Sequence, residues 1–320
     1  MNRRRFLQTT TALTLASQLP NSEIFAANPA KVGNLGVALF TLPKSLSQDF
    51  EGTLEMISDM GYSELEFFGP YDYSGEAAKK QWEMAAKALG FSGSGYFGKS
   101  PKELKALLKK YKLSSPAIHV DLPTLRENMA GVAEAADVIG HKYVGIAMIP
   151  DDMRKTLDDY KRTADIFNEV GKSAKKYGLT FFYHNHGYGH KPVDGTIPFQ
   201  LILDNTDPDL VKMEMDVFWF SAAGINPVDY LKNNPGRFPL LHVKDMSEKK
   251  TFAKDGSNMG EWMGMFPYLA DAGAGVLDLE TILCEAKKAG AKHFFLEKDN
   301  TPNPQQALQA SYDFLSKVKC

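Results

Sequence analysis

Eight short apolar runs recur along the chain, and amphipathic stretches rich in lysine and glutamate separate them. An apolar run without polar alternation is typical of a parallel strand that is buried on both faces. Glycine follows several of the amphipathic stretches just before the next run, which is the position of a helix C-cap. We therefore predict strands at Leu35–Leu42, Ser63–Phe68, Ser115–Val120, Tyr143–Ile149, Thr180–His184, Val211–Phe218, Leu240–Lys244 and His293–Glu297.

Eight strands that each precede a helix predict an α/β fold, a single (β/α)₈ or TIM barrel, over residues 31–320. The alternative is an open doubly wound sheet, but Leu39–Pro43 contains no glycine and so lacks the nucleotide-binding fingerprint of that fold. Residues 69–98 and 247–275 are expected to be long segments at the mouth, the carboxyl end of the strands. Helices are predicted at Phe50–Met60, Pro101–Tyr111, Leu125–Ile139, Asp158–Tyr177, Pro227–Lys232 and Leu279–Ala289.

Residues 1–30 have the pattern of an export signal followed by a short linker. Arg3–Arg5 precede Phe6, Leu7 and a weakly apolar run, which is shorter than the about 20 apolar residues that cross a bilayer. Paired arginines before such a run are typical of a twin-arginine signal, and small residues near Ala26 offer a cleavage site. We expect an exported, periplasmic protein. The alternative is a basic N-terminus without a targeting role.

The charge balance argues against some classes of partner. The whole chain has a formal charge of −2, and removing three arginines and one glutamate with the signal leaves −4. A mildly acidic protein without a basic stripe is a poor nucleic-acid binder.

Since the later stretches lack the apolar length of a membrane span, we expect no stable membrane insertion of the mature protein. Cys284 and Cys320 lack zinc-site spacing and receive no role, and a homo-oligomer is left open.

Ionisable residues end four consecutive predicted strands. Buried strands seldom tolerate such residues unless they are paired or bound to a metal. Residues two apart on a strand face the same side, and the active site of a (β/α)₈ barrel lies at the carboxyl ends of its strands. The residues are His184 and His186 on the fifth strand, Glu214 and Asp216 on the sixth, His242 and Lys244 on the seventh, and Glu297 and Asp299 on the eighth.

Imidazoles mixed with carboxylates indicate a metal site. Such donors suit Mn²⁺, Zn²⁺, Co²⁺ or Fe²⁺, whereas a Ca²⁺ site would need oxygen donors alone. We expect one divalent metal, with Mn²⁺ as the predicted ion; either His184 or His186 could orient the site instead of binding the metal. Glu66, His119 and Trp219 are predicted to contact the substrate, with barrel packing as the alternative role of the tryptophan.

Four runs carry a family resemblance: Tyr183–Gly187, Asp216–Trp219, Gly236–Asp245 and Glu297–Asp299. They resemble the xylose-isomerase-like TIM-barrel family of sugar (phosphate) isomerases and epimerases, in which groups on strands five to eight hold one divalent metal. The resemblance implies that the metal ligands are His184, Asp216, His242 and Glu297. His184 stands where many members have glutamate. Histidine versions of this motif occur in branches similar to inosose dehydratases and to lyases of 3-keto-glycosides.

These residues predict an enzyme that removes a proton α to the carbonyl of a keto-sugar or polyol and forms an enediolate. Glu297, with either His186 or His184, would supply acid/base chemistry, and Lys244 would neutralise the developing oxyanion. Reprotonation would give isomerisation or epimerisation, whereas loss of a β-oxygen would give dehydration or glycoside cleavage. Export favours an unphosphorylated carbohydrate as the small-molecule substrate. The alternatives are an endonuclease of the apurinic-site type and a non-catalytic carbohydrate-binding accessory protein.

Overall fold

The computed structural model describes residues 32–299 and 301–320, and the predicted export signal lies outside the described residues. Eight parallel strands pair in chain order, and the first strand closes the ring by pairing with the eighth. This closed ring confirms the predicted single (β/α)₈ barrel. The first to eighth strands are Asn34–Ala38, Glu64–Phe68, Ser114–His119, Tyr143–Ile146, Thr180–His184, Val211–Asp216, Leu240–Val243 and His293–Leu296.

Helices pack around the outside of the barrel, and five of the six predicted helices begin and end within one residue of the predicted positions. The predicted helix Leu125–Ile139 is divided at Asn128, whose side chain accepts a hydrogen bond from the amide of Gly131 and so starts a new helix. The helices are Pro43–Gln48, Phe50–Asp59, Glu76–Leu89, Pro101–Lys110, Leu122–Glu127, Met129–Ile139, Leu157–Lys176, Pro198–Asn205, Val217–Ala222, Pro227–Asn233, Met259–Met265, Leu279–Lys288 and Pro304–Leu315.

The sixth strand is shorter than predicted because a helix begins where the strand ends. Oδ1 of Asp216 accepts hydrogen bonds from the amides of Phe218 (2.9 Å) and Trp219 (3.0 Å), which caps the helix Val217–Ala222. The cap holds the carboxylate of Asp216 at the mouth of the barrel.

Side chains fill the lower part of the barrel interior in two layers. At the amino ends of the strands, Glu64 accepts hydrogen bonds from His293 (2.8 Å) and Asn34 (3.1 Å). An apolar layer lies above this polar one and separates it from the mouth. Its members are Ala38, Ala117, Phe182, Leu240 and Phe295.

Two further features complete the fold. Cys284 and Cys320, which received no role from their spacing, form a disulfide that ties the helix Leu279–Lys288 to the end of the described chain. Asp245–Met246 and Leu269–Ala270 form a small antiparallel ribbon above the seventh strand. Within residues 32–299 and 301–320, no helix combines the length and the apolar character needed to cross a membrane.

Candidate active site

Ionisable side chains form a third layer at the mouth of the barrel. Several of them lie two residues beyond a member of the apolar layer, so strand alternation turns both inward. His119 follows Ala117 in this way, and His242 follows Leu240. We call this layer the ionisable cluster; its members are Glu66, His119, His184, Glu214, Asp216, His242, Lys244, Glu297 and Asp299.

Three of the four metal ligands implied by the resemblance come together directly. Asp216, His242 and Glu297 each offer one ligand atom, and these atoms lie within 4.8 Å of one another. The register of the strands brings them together, since Asp216 on the sixth strand lies opposite His242 on the seventh.

The fourth implied ligand, His184, belongs to a second group of donors. His119, His184, Glu214 and His242 also offer ligand atoms that lie within 4.8 Å of one another. His184 lies close to members of both groups, because its Nδ1 is 3.1 Å from Glu214 and its Nε2 is 3.9 Å from Asp216. His242 is the donor that the two groups share.

Glu214 is a member of the cluster to which the motif comparison gave no role. It is fully buried, and its Oε2 lies 2.8 Å from Nε2 of His119 and 3.3 Å from Nε2 of His242. Its position two residues before Asp216 on the same strand predicted that it faces the same side, but not that it meets His119 and His242.

Glu66 and His119, predicted to contact the substrate, lie inside the cluster beside the metal donors. Oε2 of Glu66 is 2.5 Å from Nε2 of His242, and the other ring nitrogen of His242 is 2.7 Å from Oε2 of Glu297. Glu66 therefore contacts one of the implied ligands directly, and His119 is itself a member of the second group of donors. The His119 side chain is 12% exposed, against 4% for His184, so it is the more open to an entering molecule.

Lys244 is buried among three carboxylates. Its Nζ lies 2.7 Å from Glu297, 2.7 Å from Asp299 and 3.1 Å from Asp216. Burial by itself would lower the pKa of Lys244, but these three carboxylates raise the pKa well above its ordinary value. Lys244 is therefore a protonated amine that can donate a hydrogen bond or neutralise negative charge.

The carboxylates of the cluster differ in acidity because they have different neighbours. Burial raises the pKa of Glu66 and that of Glu214 to about 7. Burial acts in the same direction on Glu297, but Lys244 and His242 outweigh it and hold the pKa of Glu297 well below its usual range. Glu297 is thus an ionised carboxylate, held between a lysine and a histidine.

The donor set fits a divalent metal ion. Oε1 of both Glu66 and Glu214 is buried without a hydrogen-bond partner among the described residues, whereas Oδ2 of Asp216 has the amine of Lys244 as a charged neighbour at 3.1 Å. An orphaned buried oxygen of this kind costs about 1–3 kcal/mol or more unless something binds it. Nitrogen and oxygen donors together suit a first-row transition metal. A divalent cation would also offset the negative charge of the buried carboxylates.

His186 and Trp219 lie beside the cluster in an aromatic layer. The His186 ring stacks between Trp262 (4.5 Å between centroids) and Trp219 (5.7 Å), and burial lowers the pKa of His186 to about 3. His186 therefore carries no charge, and among the described residues it joins neither group of metal donors. Trp219 is buried, and Nζ of Lys244 lies 5.3 Å from its ring centroid.

Residues 247–275, which we call the covering segment, close the aromatic layer from outside. The Phe252 ring stacks on Trp219 at 5.8 Å, and the Phe252 amide donates to the carbonyl of Ala222. Arg154 donates to the carbonyl of Ser257 at 2.8 Å. The insertion predicted after the seventh strand therefore covers the fifth and sixth strands.

The curated relatives of this chain include inosose dehydratases. Inosose dehydratase 2 of Bacillus cereus (strain ZK) is 27% identical over 191 residues, which cover 52% of this chain and 62% of the relative. Inosose dehydratase of a second Bacillus cereus strain, AH820, is 31% identical over 114 residues, which cover 34% of this chain and 37% of that protein. The matched segments thus span less than two thirds of either relative.

Solved structures show the same fold over nearly the whole chain. A sugar phosphate isomerase/epimerase from Parabacteroides distasonis ATCC 8503 is similar with a TM-score of 0.69 and 22% identity, over 91% of this chain and 98% of that one. The IolI protein, solved with a zinc atom, is similar with a TM-score of 0.63 and 18% identity, over 89% and 99%. The sequence profile described as xylose isomerase-like TIM barrel matches residues 54–318, and the chain belongs to this family of sugar-modifying enzymes.

Proposed function

We propose that this protein is a metal-dependent enzyme that removes a proton α to the carbonyl of an unphosphorylated keto-sugar or keto-polyol. The observation that carries the proposal is the convergence of Asp216, His242 and Glu297 with Lys244 at the mouth of a closed barrel. Removing such a proton leaves an enediolate, whose negative oxygen needs positive charge nearby. A protonated amine buried beside the donors supplies that charge without reorganisation of solvent.

We propose separate roles for the metal donors and for the lysine of the site. His184, Asp216, His242 and Glu297 would hold one divalent ion, for which we propose Mn²⁺. When bound, the ion would act as a Lewis acid that polarises the carbonyl. Lys244 would donate a hydrogen bond to the developing oxyanion.

Proton transfer requires a base close to the substrate carbon. Glu297 and His186 are the bases expected from the sequence, and both are in their unprotonated forms. His119 is a further candidate, because its Nε2 can donate to Glu214 and leave Nδ1 to accept a proton. Of these candidates we favour His119, because its side chain is partly exposed whereas the His186 ring is enclosed by two tryptophans.

Dehydration is a second candidate outcome of the same first step. The inosose dehydratases that match this chain support it, since elimination of a β-hydroxyl from an enediolate gives an enone. Cleavage of a 3-keto-glycoside would follow the same course with an alkoxide as the leaving group. We further propose that the enzyme works in the periplasm, where unphosphorylated carbohydrates are the more common substrates.

Metal content is the first measurement that tests this function. We expect about one transition-metal ion per chain in the wild type by elemental analysis, and its loss in His242→Ala and in Glu297→Ala. His293→Gln is the matched control, because His293 also pairs with a glutamate but at the opposite end of the barrel. A folded wild type without bound metal, active or not, would overturn the proposal and favour an accessory binding protein.

The proposed removal of the α-proton is tested by hydrogen exchange, because exchange at this carbon is expected whichever product forms afterwards. Keto-sugars and inososes incubated with the enzyme in D₂O should take up deuterium α to the carbonyl, as seen by proton NMR. An enone absorbance that appears together with exchange would identify dehydration. Exchange that persists unchanged after the metal is removed would contradict the metal-dependent mechanism.

A further inference from the structure

A cavity lies just beyond the end of the second strand, which carries Glu66 of the ionisable cluster. It has a volume of about 460 Å³ and lies between the helix Glu76–Leu89 and residues 91–94. Ligand cavities in proteins span roughly 300–1,000 Å³, so this one can hold a sugar ring. We call it the Trp82 groove; its walls include Tyr71, Lys79, Trp82, Glu83, Lys87 and Phe91.

The groove exists because one helix stands away from the barrel. Lys79, Trp82, Glu83 and Lys87 recur at helical spacings of three and four and therefore share one face of the helix. Three of these four side chains are charged, so the face does not pack tightly on the core, and Ala86 is the buried residue of this 14-residue helix. The indole N–H of Trp82 donates to the carbonyl of Gly93 at 3.1 Å, so the far rim of the groove is fixed to the helix.

Tyr71 connects the groove to the ionisable cluster. It lines the groove and lies just beyond the second strand, which carries Glu66. Its side chain is 3% exposed, and its hydroxyl is buried without a hydrogen-bond partner among the described residues. Burial, then Tyr96, then Glu66 raise the pKa of Tyr71, which is consistent with a hydroxyl close to the cluster. Tyr71 therefore lies between the groove and Glu66, with a buried hydroxyl that has a bonding capacity left for a ligand reaching from the groove towards the cluster.

The lining favours an uncharged, polyhydroxylated ring. Asp72 and Glu83 balance Lys79 and Lys87, so the groove offers no net positive field to a phosphate. The flat faces of Trp82 and Phe91 can pack against the C–H face of a sugar, while charged side chains around them can bond its hydroxyls.

We propose that the Trp82 groove binds the second sugar ring of a glycoside whose first ring reacts at the ionisable cluster. This inference rests on the proposed function and narrows the substrate class from free monosaccharides to glycosides. The ring in the groove would not react. It would contribute binding energy and orient the reacting ring.

Calorimetric titration of the full chain with glucose, cellobiose and trehalose tests this proposal. We expect at least one disaccharide to bind more tightly than glucose, and Trp82→Ala to weaken its binding about five- to tenfold. Met84→Ala is the matched control, because Met84 lies on the same helix but is 63% exposed and outside the groove. Trehalose 6-phosphate should bind no more tightly than trehalose, because the lining is balanced in charge.

A second variant guards against loss of fold, since Trp82 also packs on Phe68. Glu83→Ala removes an exposed groove residue, and we expect it to weaken disaccharide binding about two- to fivefold. Equal binding of glucose and both disaccharides, no binding of either disaccharide at millimolar concentration, or unchanged binding in both variants would overturn the proposal. His242→Ala should keep disaccharide binding, so failure of the metal mechanism is distinguishable from failure of the groove.

Discussion

The Nζ atom of Lys244 lies 2.7 Å from Oδ2 of Asp299, and both side chains are buried. Asp299 was assigned no function from the motifs, although it shares a strand face with Glu297. The same amine also contacts Asp216, so Asp299 is a positioning residue for the charge that the proposed enediolate needs.

We predict that Asp299→Asn lowers turnover about 10- to 100-fold while the bound metal is retained, because it removes an outer partner of the site. Steady-state kinetics and elemental analysis on the same preparation check this. Asp271→Asn is the control, since Asp271 pairs with Lys298 in a more exposed position. Loss of metal in Asp299→Asn would contradict a role confined to positioning Lys244.

Lys244→Met should destabilise the metal-free protein by about 3–5 kcal/mol, because three buried carboxylates lose their cation. Urea unfolding of the metal-free form measures this free energy. Added divalent metal should recover part of the loss, since it supplies positive charge to the same carboxylates. An unchanged unfolding free energy would mean that these carboxylates are protonated when the lysine is absent.

Reduction of the disulfide should lower the free energy of unfolding by about 2–4 kcal/mol, because Cys284 and Cys320 are 36 residues apart. Guanidinium unfolding with and without reductant gives the value. In the double variant Cys284→Ser, Cys320→Ser the reductant should have no effect. A free energy of unfolding of the wild type that does not change with reductant would contradict a stabilising disulfide.

His141 should make the protein sensitive to mild acid. Burial lowers the pKa of His141 to about 4, and Tyr96 and the carbonyl of Ser115 contact its ring nitrogens. The unfolded chain binds a proton near pH 6.5 and the folded one does not. Stability is therefore complete above pH 6.5 and falls as the pH drops towards 4.

Between pH 7.5 and 5.5 we expect the wild type to lose about 1 kcal/mol more than His141→Asn. Urea unfolding of both proteins at the two pH values measures the difference. Parallel pH profiles would exclude His141 as the source.

Gly187→Ala should displace the covering segment, because an added Cβ would overlap the Phe252 ring. Limited proteolysis within residues 247–275 should become faster, and Phe252→Ala in the same chain should restore the wild-type rate. Gly264→Ala is the control, since nothing lies within 4 Å of its added Cβ. Equal proteolysis of all variants would show that the segment does not depend on this contact.

Replacing Arg4 and Arg5 by lysine should block the export that we propose. Cell fractionation should find the wild type in the periplasm and the variant in the cytoplasm. Periplasmic accumulation of both would contradict the twin-arginine route.

The barrel could be predicted because its strands are continuous apolar runs that end in ionisable residues. Strand alternation also indicated that Asp216, His242 and Glu297 turn inward, and the structure brings them together. The helix Glu76–Leu89 was missed because its apolar stripe is weak, with Ala86 as its buried residue.

Contacts between strands could not be predicted, because they depend on register. His184 lies opposite Glu214, and this pairing follows from the shear of the barrel and not from any local pattern. For the same reason the sequence could not show that Glu66, from the second strand, meets His242 from the seventh.

The ring closes through the pairing of Val37 with Leu296, next to Glu297. Of the four proposed ligands, Glu297 directly follows the last strand, so no fragment that ends before this residue contains the complete site. Retention of the proposed ion would therefore report finished folding, since a chain that stops before its last strand lacks Glu297. In a route that carries folded proteins across a membrane, the bound ion would mark the molecules that are ready to leave.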